Sequence, residues 1–166
     1  MSIRFALAAG AAGTIALCAL TGTATAQVQT QRDITWKLGL AIAEGAIEEC
    51  AKSNIPITVA VVDRAGRLRI FIAPDNPSPH NFELARRKAY TARTFGRTSA
   101  EWAKRTADLP ELAAQRELAD VIALRGGVPI KVGNETIGAV GVSGSSSAGD
   151  EKCAMAGIAK VTDQLR

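Results

Sequence analysis

Twice in this chain a run rich in β-branched residues meets a short turn and a second run that can fold straight back on it. Ile55 to Val62 reads as a buried strand. Asp63-Arg64-Ala65-Gly66 then places Asp first and Gly fourth, the chemistry of a type I turn, and Leu68 to Ile72 returns as the partner. Val128 to Val132 and Glu135 to Val142 repeat the arrangement around Gly133-Asn134. Connections this short cannot make the crossover that parallel neighbours need, so the pairs are antiparallel hairpins.

Helical patterns surround the hairpins. From Asp33 to Ser53, Trp36, Leu40, Ala43, Ile47 and Cys50 recur at steps of four and three, one apolar face. Pro74, Pro77 and Pro79 stiffen a loop over Ala73 to His80, and Asn81 reads as the N-cap of a helix whose apolar face is Phe82, Ala85, Ala89 and Ala92. A short helix is expected around Trp102 and another over Glu111 to Leu124, ended by Gly126-Gly127. Ala154, Ile158, Val161 and Leu165 mark a C-terminal helix. The fold class that follows is α+β, an antiparallel sheet flanked by helices.

The first 26 residues are read apart from this fold. Arg4 is the one charge before an apolar stretch from Ala6 to Leu20, and Ala24-Thr25-Ala26 offers the small residues a signal peptidase inspects. That is the pattern of a secretory signal peptide, too short to span a bilayer. The expectation is an exported protein, periplasmic or secreted, with residues 27–166 as a single domain. Cys18 leaves with the leader. Cys50 and Cys153 remain in an oxidising compartment, where they read either as a disulfide or as two buried thiols.

Net charge is +4 and aromatic residues are only 4% of the chain. With no long basic run and few stacking side chains, a nucleic-acid partner is not expected. No later stretch is apolar enough to cross a membrane.

Chemistry concentrates in two places. Gly141 to Gly149 is a Gly/Ser loop opening onto a helix, where Ser143, Gly144 and the backbone donors favour an anion such as a carboxylate. The plainer reading is capping, with Ser147 and Asp150 as a capping box. The Gly-x-Ser-x-Gly frame of a nucleophile elbow is missing, which argues against a hydrolase. The second place is His80, the one histidine of the chain, and hence the one imidazole available to an iron. Arg86, Arg87 and Lys88 follow, off the helix's apolar face; they read as a solvated face or as partners for propionates or a substrate carboxylate.

Four stretches carry a family resemblance in one order: Val59 to Gly66, Ala85 to Ala92, Gly126 to Ile130, and Ile137 to Gly144, followed by Asp150-Glu151-Lys152-Cys153-Ala154. Together they resemble the GlcG/HbpS family of haem-binding or haem-degrading proteins, related to the C-terminal domain of some corrinoid adenosyltransferases. The resemblance implies a profilin-like α+β fold, assembly into homo-oligomers and, as in some members, haem as cofactor with slow oxidative degradation. Two functions are therefore carried forward: an exported haem-binding protein in which His80 or a nearby loop residue is the metal ligand, and a binding module for a small organic acid without iron. Whether either is an enzyme is left open by these residues. Intact mass of the exported species is expected to correspond to a chain beginning at Gln27; retention of Met1 to Ala26 would contradict the leader.

Overall fold

In the computed structural model, which describes residues 28–166, strand β1 (Thr58–Asp63) is buried along its whole length. The expected leader, Cys18 and the junction before Gln27 lie outside the described residues. β1 pairs with β2 (Leu68–Ile72) through the Asp63–Gly66 turn and, on its other side, with β4 (Glu135–Ser143). β3 (Gly127–Val132) completes the order β2-β1-β4-β3, antiparallel throughout. Helices α1 (Trp36–Ala51), α2 (His80–Phe95), α3 (Ser99–Asp108) and α4 (Ser147–Ala159) complete the α+β fold expected from the hairpins. Both edges are built for the surface: β2 carries Arg69, and Pro129 sits in β3, which pairs only with β4. No helix among the described residues is long and apolar enough to cross a membrane.

Strand alternation divides the core in two. Val59, Val61, Val140 and Val142 face α1 and α4, whereas Val62 and Ala139 face Ala89 and Ala92 of α2. The second layer is thin because its residues are small. A Cβ on Gly141 would lie 2.1 Å from the Ala85 carbonyl oxygen, and one on Gly127 would lie 2.1 Å from that of Lys88. The backbone of α2 thus rests on the backbone of the sheet. On the other face α1 and α4 cross as closely, with a Cβ on Gly157 only 2.3 Å from the Ile42 carbonyl oxygen. Cys50 and Cys153 join these helices in a disulfide, Cα atoms 5.7 Å apart. Closing about 100 residues of chain, it stabilises by ~4–5 kcal/mol in the chain-entropy model.

Several expected details move. Thr35 rather than Asp33 starts α1, its hydroxyl accepting the Leu38 N–H at 3.2 Å. The buried face of α1 runs through Gly39, Ile42, Ala43, Ala46 and Cys50, and Trp36 is 59% exposed. Close helix crossing selects small residues, which a count of large apolar ones rotates out of view. The segment expected as a helix over 111–124 is 3-10 only over Pro110–Glu117 and then irregular. Its later part is tied down instead by α2: Arg87 donates to the Val121 carbonyl, and the Ile122 N–H donates to Thr91 Oγ1 at 2.8 Å.

Lys88 corrects the solvated-face reading outright. Its side chain is 1% exposed, and its Nζ donates to Asp150 Oδ2 at 2.8 Å and to the Val142 carbonyl at 2.9 Å. One ammonium therefore connects α2, β4 and α4. Gly126 (φ 126°) makes room for it, since a Cβ there would lie 2.9 Å from Asp150 Cβ and 3.0 Å from Lys88 Nζ. At the far end of β1, Asp63 does comparable work for the hairpin. Its fully buried carboxylate accepts the N–H groups of Ala65 and Arg67 and the Nε–H of Arg67 and Arg69.

Two stability measurements check these fixtures. Lys88→Met or Asp150→Leu alone should cost about 3–5 kcal/mol, because each strands a buried charge, and the double variant should recover most of the loss. A double variant as unstable as the sum of the singles would refute this. For Asp63, burial would raise the carboxyl, but the Arg67 and Ala65 hydrogen bonds and the Arg67 charge outweigh it and hold it below its ordinary 3.8. Asp63 therefore stabilises the fold fully above that value and progressively less as pH falls through its lowered folded value. Urea midpoints of Asp63→Asn across acid pH should lack the part of that slope seen in the wild type.

Candidate functional site

The proline loop ends where β4 ends. His80 opens α2, and the helix has no side-chain cap: Pro79 occupies that position, and the Asn81 N–H donates to the Ser78 carbonyl at 2.9 Å. Asn81 is consequently not the cap expected of it. Its side chain turns inward, where Oδ1 accepts the Ser143 hydroxyl at 2.9 Å, and both residues are buried. His80, Leu84 and Lys88 stand at steps of four along α2, so they share one stripe beside the sheet-facing alanines.

The other wall is the loop after β4. Gly144 (φ 140°) passes against β1's approach, where a Cβ would lie 2.7 Å from the Pro56 carbonyl oxygen. The Ser145 N–H donates to Asp150 Oδ1 at 2.9 Å, and Ser146, not Ser147, caps α4, its Oγ accepting the Gly149 N–H at 3.2 Å. Asp150 is thus spent on Lys88 and the loop rather than on a capping box. Burial raises its carboxyl above the ordinary value, against the Lys88 ammonium and the Ser145 N–H that pull it down.

Between these walls lies a polar cleft of about 190 Å³, lined by His80, Asn81, Lys88, Ser143, Gly144 and Asp150, together with further serines and the apolar Leu84 and Leu124. Of the residues singled out in the sequence, His80, Lys88, Ser143 and Gly144 meet here. Arg86 and Arg87 do not. Arg86 is paired with Asp120 at 2.7 Å and Glu83 at 3.0 Å, and Arg87 holds Val121. The His80 imidazole is exposed and makes no hydrogen bond or ion pair with any described residue. Asn81 and Asp150 are site residues that the sequence pattern cast in capping roles, and Leu84 is one it did not single out. The signal available for Leu84 and Lys88 was their spacing of four and eight from His80.

A larger cavity, about 430 Å³, lies near the C-terminal end of α1 between Ile47, Ile55, Ile57, Ile72 and Pro74. Its walls carry no imidazole, thiol or charged group, so it offers packing surface but no ligating or acid–base chemistry. Among the described residues no group of three or more His, Cys, Asp and Glu side chains is arranged to hold a metal ion.

Residues 34–159 match the model of a family described as "Haem degrading protein HbpS-like". GlcG of Escherichia coli K12 is 31% identical over 121 residues, 70% of this chain and 85% of that protein. A crystal structure of HbpS superposes with a TM-score of 0.76 at 29% identity, covering 83% of this chain and 96% of the other. The fold also matches a crystal structure of a PduOC–haem complex, with a TM-score of 0.69 at 23% identity over 76% of this chain and 94% of that one. Sequence match, coverage and fold agree, and the chain belongs to the HbpS-like family.

Proposed function

We propose that this protein binds haem at the mouth of the polar cleft, with His80 as the axial ligand. One observation carries the reading: the chain's only imidazole lines the cleft, exposed and with no hydrogen bond or ion pair to any described residue. The family's description and the haem-bound structural neighbour support it. Haem needs an axial donor and apolar contact. His80 supplies the first, and Leu84 and Leu124 supply the second. At about 190 Å³ the cleft is smaller than pockets that enclose a drug-sized ligand, so these residues fit haem as a group seated at the mouth rather than swallowed. When bound, haem would supply its iron chemistry; the chain supplies the ligand, a fixed loop and a neutralised floor. The proline loop and helix start hold His80 at little ordering cost.

A second reading has its own observation. The cleft's size and hydroxyl-rich lining suit a small organic acid, with the α4 N-terminus facing it. Export follows from the leader pattern, and exposed Trp36, Phe82, Leu118 and Met155 are surface that a homo-oligomer would cover; both belong to this proposal.

Hemin titration of the tag-free chain tests the reading. The Soret band should shift and saturate, and His80→Ala should weaken affinity by about tenfold or more, on the order of 1.4 kcal/mol. Arg86→Ala should change it little, because that arginine is already paired outside the cleft. Unchanged spectrum and affinity in His80→Ala would remove His80 from the site. Failure of any saturable shift would leave the organic-acid reading. Loss of the Soret band under a reductant and oxygen reports degradation separately.

A further inference from the structure

The opposite end of α2 carries a second constellation that the haem reading does not use. Arg93 lies 13 positions after His80, ~20 Å along the helix. The sheet places it likewise: Ser143, at the cleft, pairs with the first residue of β1, and Asp63, at the hairpin turn, pairs with Gly138. Here the turn lies directly on α2. Gly66 (φ 78°) passes so close that a Cβ would be 2.8 Å from Tyr90 Cε2, which brings Arg64 over to Arg93. Two clefts, of about 250 and 160 Å³, share Arg64, Ala65 and Arg93 as walls.

The charges here do not balance. Asp33, Asp63 and Glu135 serve four arginines, Arg32, Arg64, Arg67 and Arg69. Arg93 is a fifth and has no hydrogen bond or ion pair to any described residue; its Nε is buried with no partner. Burial and then the Arg64 charge push its guanidinium below the ordinary value, with Asp33 and Asp63 offsetting only part. These residues leave a surplus of two positive charges. The turn's own donors are already spent: the N–H groups of Arg64, Ala65, Gly66 and Arg67 go to Asp33 and Asp63. An anion arriving here must therefore be gripped by side chains. Guanidinium forks do this best with a tetrahedral or carboxylate oxyanion.

We propose a second ligand site between Arg64 and Arg93, taking a small doubly charged oxyanion of the phosphate kind, free or as a monoester. Such a dianion matches the charge surplus, gives Arg93 the acceptors it lacks, and relieves the like-charge approach of the two guanidiniums. The site stands independently of His80 and of haem.

Thermal unfolding tests it, with inorganic phosphate and glycerol 3-phosphate each compared with chloride at matched ionic strength. Wild type and Arg105→Met, a control on α3, should gain a few degrees that saturate by about 10 mM in at least one arm. The arm that saturates first identifies the free or the esterified form. Arg93→Met should unfold at a higher temperature than wild type in chloride, since a strained charge is gone, and should show no saturable gain. Phosphorus-31 line broadening of phosphate or of glycerol 3-phosphate by wild type reads binding without any variant. Equal gains in Arg93→Met and wild type, or phosphate and glycerol 3-phosphate lines that both stay sharp in excess wild-type protein, would overturn the proposal.

Discussion

The Lys88–Asp150 ion pair is the contact on which the arrangement of this molecule turns. A buried pair of this kind adds little net stability, because desolvating both charges offsets most of their attraction. Its consequence is placement. Lys88 cannot leave Asp150 and the Val142 carbonyl without stranding a charge, so α2, the end of β4 and the first turn of α4 keep one relation. Asp150 passes the constraint on by holding the Ser145 N–H. Two helical turns earlier on the same stripe stands His80, ~12 Å along the axis, and its position over the cleft follows from that anchor.

Close backbone packing makes the anchor reachable. Gly127 and Gly141 let α2 lie on the sheet itself, and the alanines facing them fill a layer too thin for larger side chains. With α2 this near, a lysine can reach across to a strand carbonyl and a carboxylate on another helix. The same helix then serves both ends of the sheet: its start borders the cleft, and its last turns meet the hairpin turn pinned by Asp63. The disulfide performs a matching task on the other face, fixing α4 to α1.

The hairpins and hence the α+β class were legible because strand pairing follows from local signals, β-branched runs and short turns. The family was legible from motif order. Harder to read were residues whose role depends on a distant partner. Lys88 looks solvated when α2 is viewed alone, since nothing local announces Asp150, 62 positions away. Asn81 and Ser147 carry cap chemistry, yet Pro79 and Ser146 hold the cap positions, because tertiary contacts set where each helix begins. Arg86 and Arg87 look available until the 118–124 segment folds over them. In α1 the error was one of size: Gly39 and Ala46, not Trp36, make the buried face.

Because the chain has a single histidine, one experiment addresses the central claim without any variant. Tag-free protein labelled with nitrogen-15 only in histidine gives one pair of imidazole signals. On addition of ferric haem to saturation, axial ligation by His80 predicts that both signals leave their free positions by large hyperfine shifts. A saturated Soret band with the imidazole signals unmoved would contradict it, and would place any bound haem elsewhere on the protein.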